Sequence, residues 1–134
     1  MKLLLLSLMA TTVISLGAFS QDWNSVIEET NFSVYVAEIE YRNPADGIHH
    51  QRLVFKYQNH TAQPLELSFN REVNFGGATI TQERNFSVLI PGNGSVAYDE
   101  ARQHDQTFYL FKKDHEGFIS KHLRDFKIIN IRTN

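Results

Sequence analysis

The chain has no cysteine, and only one tryptophan and three prolines among its 134 residues. The absence of cysteine excludes disulfides, a cysteine nucleophile and lipidation of a cysteine after an export signal. Extracellular animal domains of this size often carry disulfides. The composition therefore favours a bacterial envelope or secreted protein that is stabilised by its hydrophobic core alone.

The chain also lacks a basic run. It has 13 Lys and Arg against 15 Asp and Glu, and without Lys2 of the leader 12 basic residues remain, a formal charge of −3. A mildly acidic chain does not suit nucleic acid or an anionic membrane surface. After residue 20 there is no apolar run of the roughly 20 residues that a membrane helix needs. We expect neither a nucleic-acid partner nor a membrane span in the mature chain.

The N-terminus has the layout of a secretory signal peptide. Lys2 precedes an apolar run over 3–16, and Ala18 and Ser20 place small residues at −3 and −1 of a cut before Gln21. The sequence predicts a signal peptide over 1–20 and one domain over 21–134. It predicts export to the periplasm or the medium.

From residue 32 onward the hydrophobic period is two, which is typical of half-buried strands. Phe32, Val34 and Val36, for example, alternate with Ser33 and Tyr35, so both faces of this first strand are apolar near its start and a central or doubly covered strand is expected. Turn residues separate the runs. The predicted strands are 32–42, 48–58, 65–73, 79–90, 95–99, 106–113 and 124–132.

Seven short strands in this spacing predict an all-β fold, a single immunoglobulin-like β-sandwich, with a jelly roll or a small barrel as the alternative. Glu83 and Arg84 interrupt the fourth strand, where we expect a bulge or a change of sheet. Residues 21–31 are expected to hold one helical turn, because Trp23, Val26 and Ile27 share one side of a helix. Residues 114–123 are expected to form a short helix or a tucked loop.

Several segments together resemble small secreted proteins of Gram-negative bacteria that have an immunoglobulin-like sandwich and no assigned activity. The segments are the leading Trp23, Gly47-Ile48-His49, Phe55-Lys56-Tyr57-Gln58-Asn59, Leu65-Glu66-Leu67-Ser68-Phe69, Leu89-Ile90-Pro91-Gly92 and Leu123-Arg124-Asp125-Phe126. The resemblance covers most of the mature chain. It implies the fold and the compartment, and leaves the activity open.

No catalytic or cofactor motif is present. The Gly-x-Ser-x-Gly nucleophile pattern is missing, and neither Gly76-Gly77 nor 91–94 is followed by the Lys-Ser/Thr of a phosphate loop. Six histidines raise the question of metal, and His104 and His115 are the pair that neighbouring loops could bring together. We expect no cofactor and no enzyme. A small metal-dependent hydrolase that uses these two histidines is the alternative.

Aromatic residues give the best indication of binding. If Tyr35, Tyr41 and Tyr109 share the outer face of a sheet, they suit stacking on sugar rings or seating a peptide. Loops 43–47, 74–78 and 100–105, the last with His104, are further candidates, because sandwich loops often recognise partners. The basic residues Lys112 and Lys113, and Arg52 with Lys56, are interpreted as charges that protect strand edges, which favours a monomer.

The sequence thus favours an exported, non-catalytic binding module for a protein or a surface glycan. The second alternative, beside the hydrolase, is a structural subunit of an envelope complex. A large apolar patch on an otherwise complete sandwich would favour that subunit.

Overall fold

A computed structural model describes residues 21–114 and 122–134. The predicted signal peptide, His115 and most of the predicted 114–123 segment lie outside the described residues. The strands are β1 (Asn24–Glu28), β2 (Phe32–Asn43), β3 (Ile48–Asn59), β4 (Leu65–Asn74), β5 (Thr81–Ile90), β6 (Ser95–Ala97), β7 (Tyr109–Asp114) and β8 (Asp125–Thr133). Pro44–Asp46 and Glu100–Arg102 form short 3-10 turns.

The strands form two antiparallel sheets, so the predicted all-β sandwich is confirmed. The first sheet has the order β1-β2-β3-β6, with β7 also paired to β3. One of the two sheets curls into a half-barrel. The second has the order β5-β4-β8. In the described part of the chain, no helix is long and apolar enough to cross a membrane.

The main core lies between the two sheets. Most of it consists of alternate residues on β2, β3, β4 and β5, and Phe108 and Leu110 complete it: Phe32, Val34, Phe55, Tyr57, Leu65, Leu67, Phe69, Val73, Val88, Ile90, Phe108 and Leu110. The period of two therefore marks the inner face correctly. β2 lies between β1 and β3, which confirms the central strand predicted from its two apolar faces.

The helical turn predicted within 21–31 is wrong, because these residues form β1, paired with β2. The register shifts between Ser25 and Ile27, which leaves Val26 as an extra residue, 40% exposed. Ile27 packs against the core. An extra residue in a strand shifts the alternation by one position. The bulge therefore gives Trp23, Val26 and Ile27 a spacing that resembles a helix.

The bulge predicted near Glu83 and Arg84 is confirmed. The pairing of β4 with β5 shifts where Asn85 adopts a φ of 66°, and the Asn85 N–H donates to Asn70 Oδ1 at 3.0 Å. A second irregularity, with Asn130 at a φ of 53°, faces the same part of β4 from β8. Asparagine tolerates this left-handed conformation better than most residues, so it suits both positions.

The interpretation of Arg52 and Lys56 as edge charges is wrong. Both residues lie on β3, which is paired along both sides, with β2 on one and β6 and β7 on the other. Lys112 and Lys113 do lie on a strand that, among the described residues, pairs only with β3. Only those two lysines therefore remain as edge charges that would oppose pairing with another chain. That the protein is a monomer stays a prediction.

Candidate functional site

One loop departs from the edge of the first sheet and returns to the same point. β6 pairs with Lys56, Tyr57 and Gln58, and β7 pairs with the preceding part of β3. Between them, the Tyr98 N–H donates to the Phe55 carbonyl and the Phe55 N–H donates to the Phe108 carbonyl, both at 3.0 Å. Residues 98–108 therefore form an Ω-loop, a compact excursion whose two ends are adjacent.

Local hydrogen bonds fix the shape of this Ω-loop. Asp99 accepts from the Arg102 N–H at 2.9 Å and pairs with the Arg102 guanidinium. The Asp105 carboxylate accepts from the Thr107 N–H at 2.9 Å, and the Asp105 carbonyl accepts from the Phe108 N–H at 2.9 Å. Aspartates in such positions satisfy backbone donors that no sheet provides. The two aspartates therefore shape the turns of the loop, whereas its attachment to the sheet depends on Arg52 and Tyr57.

Arg52 anchors the Ω-loop to the outer face of the first sheet, the face turned away from the second sheet. Its side chain is almost fully buried, and its guanidinium lies 3.7 Å from the ring centroid of Tyr41 and 3.9 Å from that of Tyr109. Nε–H donates to His50 Nε2 at 2.8 Å, and Nη1–H donates to the Gln103 carbonyl. A guanidinium suits such a site because it stacks on rings and donates in its own plane.

The returning end of the Ω-loop is held from the core side. The Tyr57 hydroxyl donates to the Thr107 carbonyl, and Phe108 is buried. Burial raises the pKa of Tyr57 far above its ordinary value, against the opposing effect of Arg71. Arg71 is itself buried on the inner face of β4, where Nε–H donates to Glu83 at 3.1 Å and Nη1–H donates to the Tyr109 carbonyl at 3.2 Å. Both sheets therefore contact the junction between the Ω-loop and β7.

The pKa of Tyr98 also indicates contact with this anchor. Burial raises the pKa of Tyr98, and the positive charge of Arg52 and a hydrogen bond to Arg52 lower that pKa by a smaller amount.

Ala37, Tyr41 and Val54 are buried on the outer face without belonging to the core between the sheets. We call this part of the outer face the covered half, defined by Ala37, Tyr41, Arg52, Val54 and Tyr109. It is a second, smaller core beneath the Ω-loop.

The other part of the outer face, at the β6 end of β3, is less deeply buried. The ammonium of Lys56 lies 4.7 Å from the ring centroid of Tyr35 and 5.3 Å from that of Trp23. All three side chains are partly exposed, and Gln58 follows on the same face. We call this part the open half, defined by Trp23, Tyr35, Lys56 and Gln58.

The predicted tyrosines share the outer face but divide between its halves. Tyr41 and Tyr109 flank Arg52, and Tyr41 is only 8% exposed. His104 is exposed on the Ω-loop, with its ring centroid 6.4 Å from that of Tyr41. Tyr35 lies beside Lys56 instead. Both tyrosines contact a protein cation, but Tyr35 is partly exposed and can still contact a ligand, whereas Tyr41 is buried.

Aromatic contacts connect two of the predicted recognition loops. From His104 in loop 100–105, ring contacts at 5.1–6.4 Å run through Tyr41, His50 and Phe111 to Phe75 in loop 74–78. Loop 43–47 joins β2 to β3 just beyond Tyr41 and His50. Two of the three loops are therefore connected by packed rings, and the third adjoins them.

The metal alternative gains no support from the described ranges 21–114 and 122–134. No three His, Cys, Asp or Glu side chains among them lie close enough together to hold a metal ion. His115 lies outside the described residues, so the pairing of His104 with His115 stays a prediction.

Sequence reasoning missed Arg52 as the centre of the site, and Trp23 and Lys56 as partners of Tyr35. Their positions depend on which strands pair, because Arg52 faces Ile39 and Phe111, and Lys56 faces Tyr35 and Ala97. The available signal was alternation: Arg52, Val54 and Lys56 share one face of the strand.

Comparisons with protein-family models, with curated proteins and with solved structures found no significant match to this chain.

Proposed function

We propose that this chain is an exported, non-catalytic binding module that recognises a protein partner through the Ω-loop. The observation that carries the proposal is the construction of residues 98–108: the base is anchored by Arg52 and Tyr57, while Glu100, Ala101 and His104 are exposed at the tip. Recognition residues often lie on loops that a rigid scaffold positions. A loop that is already ordered loses little conformational entropy on binding.

The exposed tip suits a polar interface. Asp99, Glu100 and Ala101 surround a shallow depression together with Gln103. Asp99 is already paired with Arg102, whereas the carboxylate of Glu100 has no ion-pair partner among the described residues. A partner that presents a basic or amide group to Glu100 would therefore find a carboxylate without an ion-pair partner, on a loop whose base is anchored.

Photo-crosslinking in living cells tests the protein partner. A photoreactive amino acid replaces His104 in one variant and Glu29, an exposed residue far along the chain, in the control. We expect position 104 to give a discrete crosslinked protein and position 29 to give none. The purified partner should then bind the double variant E100K/H104A at least tenfold more weakly than the E29K control. Equal crosslinking from both positions, or equal affinity of the two variants, would contradict the proposal.

The export part has its own test. Alkaline phosphatase is active only outside the bacterial cytoplasm, and it is fused after residue 30 of the intact chain. We expect activity with residues 1–20 present and at least a tenfold loss when 3–16 are deleted. Equal activity from the two fusions, or none from the intact one, would overturn export.

One observation favours a second candidate, a subunit of an envelope complex. A cleft of about 360 Å³ between β1 and β8 is lined mostly by apolar residues: Val26, Ile27, Phe126, Lys127 and Ile128. If another subunit covers it, the protein should migrate in envelope extracts at a mass well above its own, and Val26→Lys should reduce that mass. Leu89→Lys on β5 is the control, since Leu89 is 66% exposed and lies outside the cleft. A monomer mass for the unaltered chain would reject this candidate.

A further inference from the structure

The open half of the first sheet has a cation without an ion-pair partner, beside two aromatic rings. The Lys56 ammonium lies within 6 Å of both the Tyr35 and Trp23 ring centroids, which is the range of cation–π attraction. Among the residues that the structure describes, the ion pairs involve other side chains, so no carboxylate neutralises Lys56. A surface of this kind is complementary to a ligand with one apolar face and one negative charge.

We propose that the open half binds an acidic sugar, specifically a hexuronate ring of a polysaccharide. One face of a pyranose ring presents C–H groups, which stack on indole and phenol rings because these are large, flat and amphipathic. The carboxylate of a hexuronate then accepts hydrogen bonds from the Lys56 ammonium, which has three donors.

Neighbouring polar groups suit the hydroxyls of such a ring. Ser25 faces Tyr35 across the β1–β2 pair and is exposed, and Gln58 lies two residues beyond Lys56 on the same strand face. A hydroxyl and an amide provide both donors and acceptors. A hexuronate exposes a C–H ring face, a carboxylate and hydroxyls. The open half offers aromatic rings for the first, a cation for the second, and amide and hydroxyl groups for the third.

The site is independent of the Ω-loop and of its protein partner. Lys56 and Arg52 lie on the same strand face of β3, but Arg52 is buried beneath the loop, whereas the Lys56 side chain is partly exposed. Failure of sugar binding would leave the Ω-loop proposal untouched, and the double variant E100K/H104A should bind the sugar normally.

The single tryptophan of the chain provides the readout, because Trp23 is the only source of indole fluorescence. Purified protein is titrated with an α-1,4-linked galacturonic acid hexamer and with the same hexamer fully methyl-esterified. We expect a saturable fluorescence change with the acid, and at least tenfold weaker binding of the ester, because the ester removes the charge and leaves the ring faces.

Matched variants assign the binding to named residues. Lys56→Gln and Tyr35→Ala should each weaken binding of the acid hexamer at least tenfold, whereas Lys127→Gln, which removes an exposed lysine from β8, should not change it. Far-UV circular dichroism and urea midpoints of the variants identify any loss of folding; if Tyr35→Ala does not fold, Lys56→Gln decides. No saturable change with the acid hexamer, equal binding of the ester, or equal binding by Lys56→Gln would overturn the proposal. So would equally tight binding of a hexaglutamate peptide, which would assign the surface to acidic peptides.

Discussion

The two halves of the outer face share one feature, a cation within cation–π distance of two aromatic rings, and differ in how deeply that cation is buried. In the covered half, Arg52 lies between Tyr41 and Tyr109 and is 4% exposed. In the open half, the Lys56 ammonium lies near the rings of Tyr35 and Trp23 and stays partly exposed. A buried charged group destabilises a fold unless its hydrogen-bond donors have acceptors. The Ω-loop provides one such acceptor for Arg52, the Gln103 carbonyl. The covered cation is therefore structural, whereas the open cation is available to a ligand.

The largest expected difference between the halves is in stability. Arg52→Ala should lower the free energy of unfolding by about 3 kcal/mol, because it removes two hydrogen bonds, to His50 Nε2 and to the Gln103 carbonyl, and creates a cavity between two rings. Lys56→Ala should cost less than about 1 kcal/mol, since an exposed cation–π contact contributes little. Urea unfolding of both variants measures the contrast. Equal losses would mean that the Ω-loop does not make Arg52 structural.

An exchange of the two cations sharpens the same contrast. Arg52→Lys keeps the charge but loses the planar stack and one of the two directed hydrogen bonds, so it should cost about 2 kcal/mol. Lys56→Arg should change the free energy of unfolding by less than about 0.5 kcal/mol, because its surroundings are open. Thermal unfolding at one pH compares the two. If Arg52→Lys is as well tolerated as Lys56→Arg, the geometry of the guanidinium is irrelevant to the anchor.

Much of this contrast depends on residues whose strand faces were predictable from the sequence. The alternation in 48–58 and 65–73 places Phe55, Tyr57, Leu67 and Phe69 on the inner face, as the structure shows. Alternation cannot reveal that β6 and β7 pair with the same strand, because that pairing is set by tertiary contacts over a long separation. It also gives no sign that a polar segment between two strands folds back over the outer face and buries Arg52.

Arg71 and β1 show two other reasons why the sequence was insufficient. Arg71 continues the inward series of β4, so the pattern would require an apolar residue there. It is buried because Glu83, directly opposite on β5, forms an ion pair with it. In β1, the bulge at Val26 shifts the alternation of apolar and polar residues by one position, so the strand pattern is not recognisable in the sequence. Of the predicted site residues, Tyr41, Tyr109 and His104 lie near one another, but the arginine that brings the two tyrosines together is visible only in the fold.

Removal of the Tyr57 hydroxyl alone, with its ring kept, should have a smaller effect on stability. Tyr57→Phe should lower the free energy of unfolding by about 1 kcal/mol at neutral pH, through loss of the hydrogen bond to the Thr107 carbonyl. Burial raises the pKa of Tyr57 and of Tyr98, so the folded state keeps protons that the unfolded state releases above about pH 10. The contribution of these two tyrosines to stability should therefore be constant below pH 9 and fall as the pH rises above 10.

The pH dependence distinguishes the two tyrosines. Tyr57→Phe should make the alkaline fall shallower without removing it, because Tyr98 still titrates. Urea midpoints at pH 7, 9, 10 and 11 measure the slope. An unchanged slope in Tyr57→Phe would show that this hydroxyl is not buried against the returning end of the Ω-loop.

The central claim is that the Ω-loop has one fixed conformation, held by Arg52, from which its tip is presented. Amide hydrogen exchange tests it most directly, because the N–H groups of Arg102, Thr107 and Phe108 donate within the loop. In the unaltered protein we expect these amides to exchange at least about a hundredfold more slowly than in an unstructured peptide. In Arg52→Ala they should lose that protection while the β4 amides keep theirs. Unprotected loop amides in the unaltered protein would contradict the account.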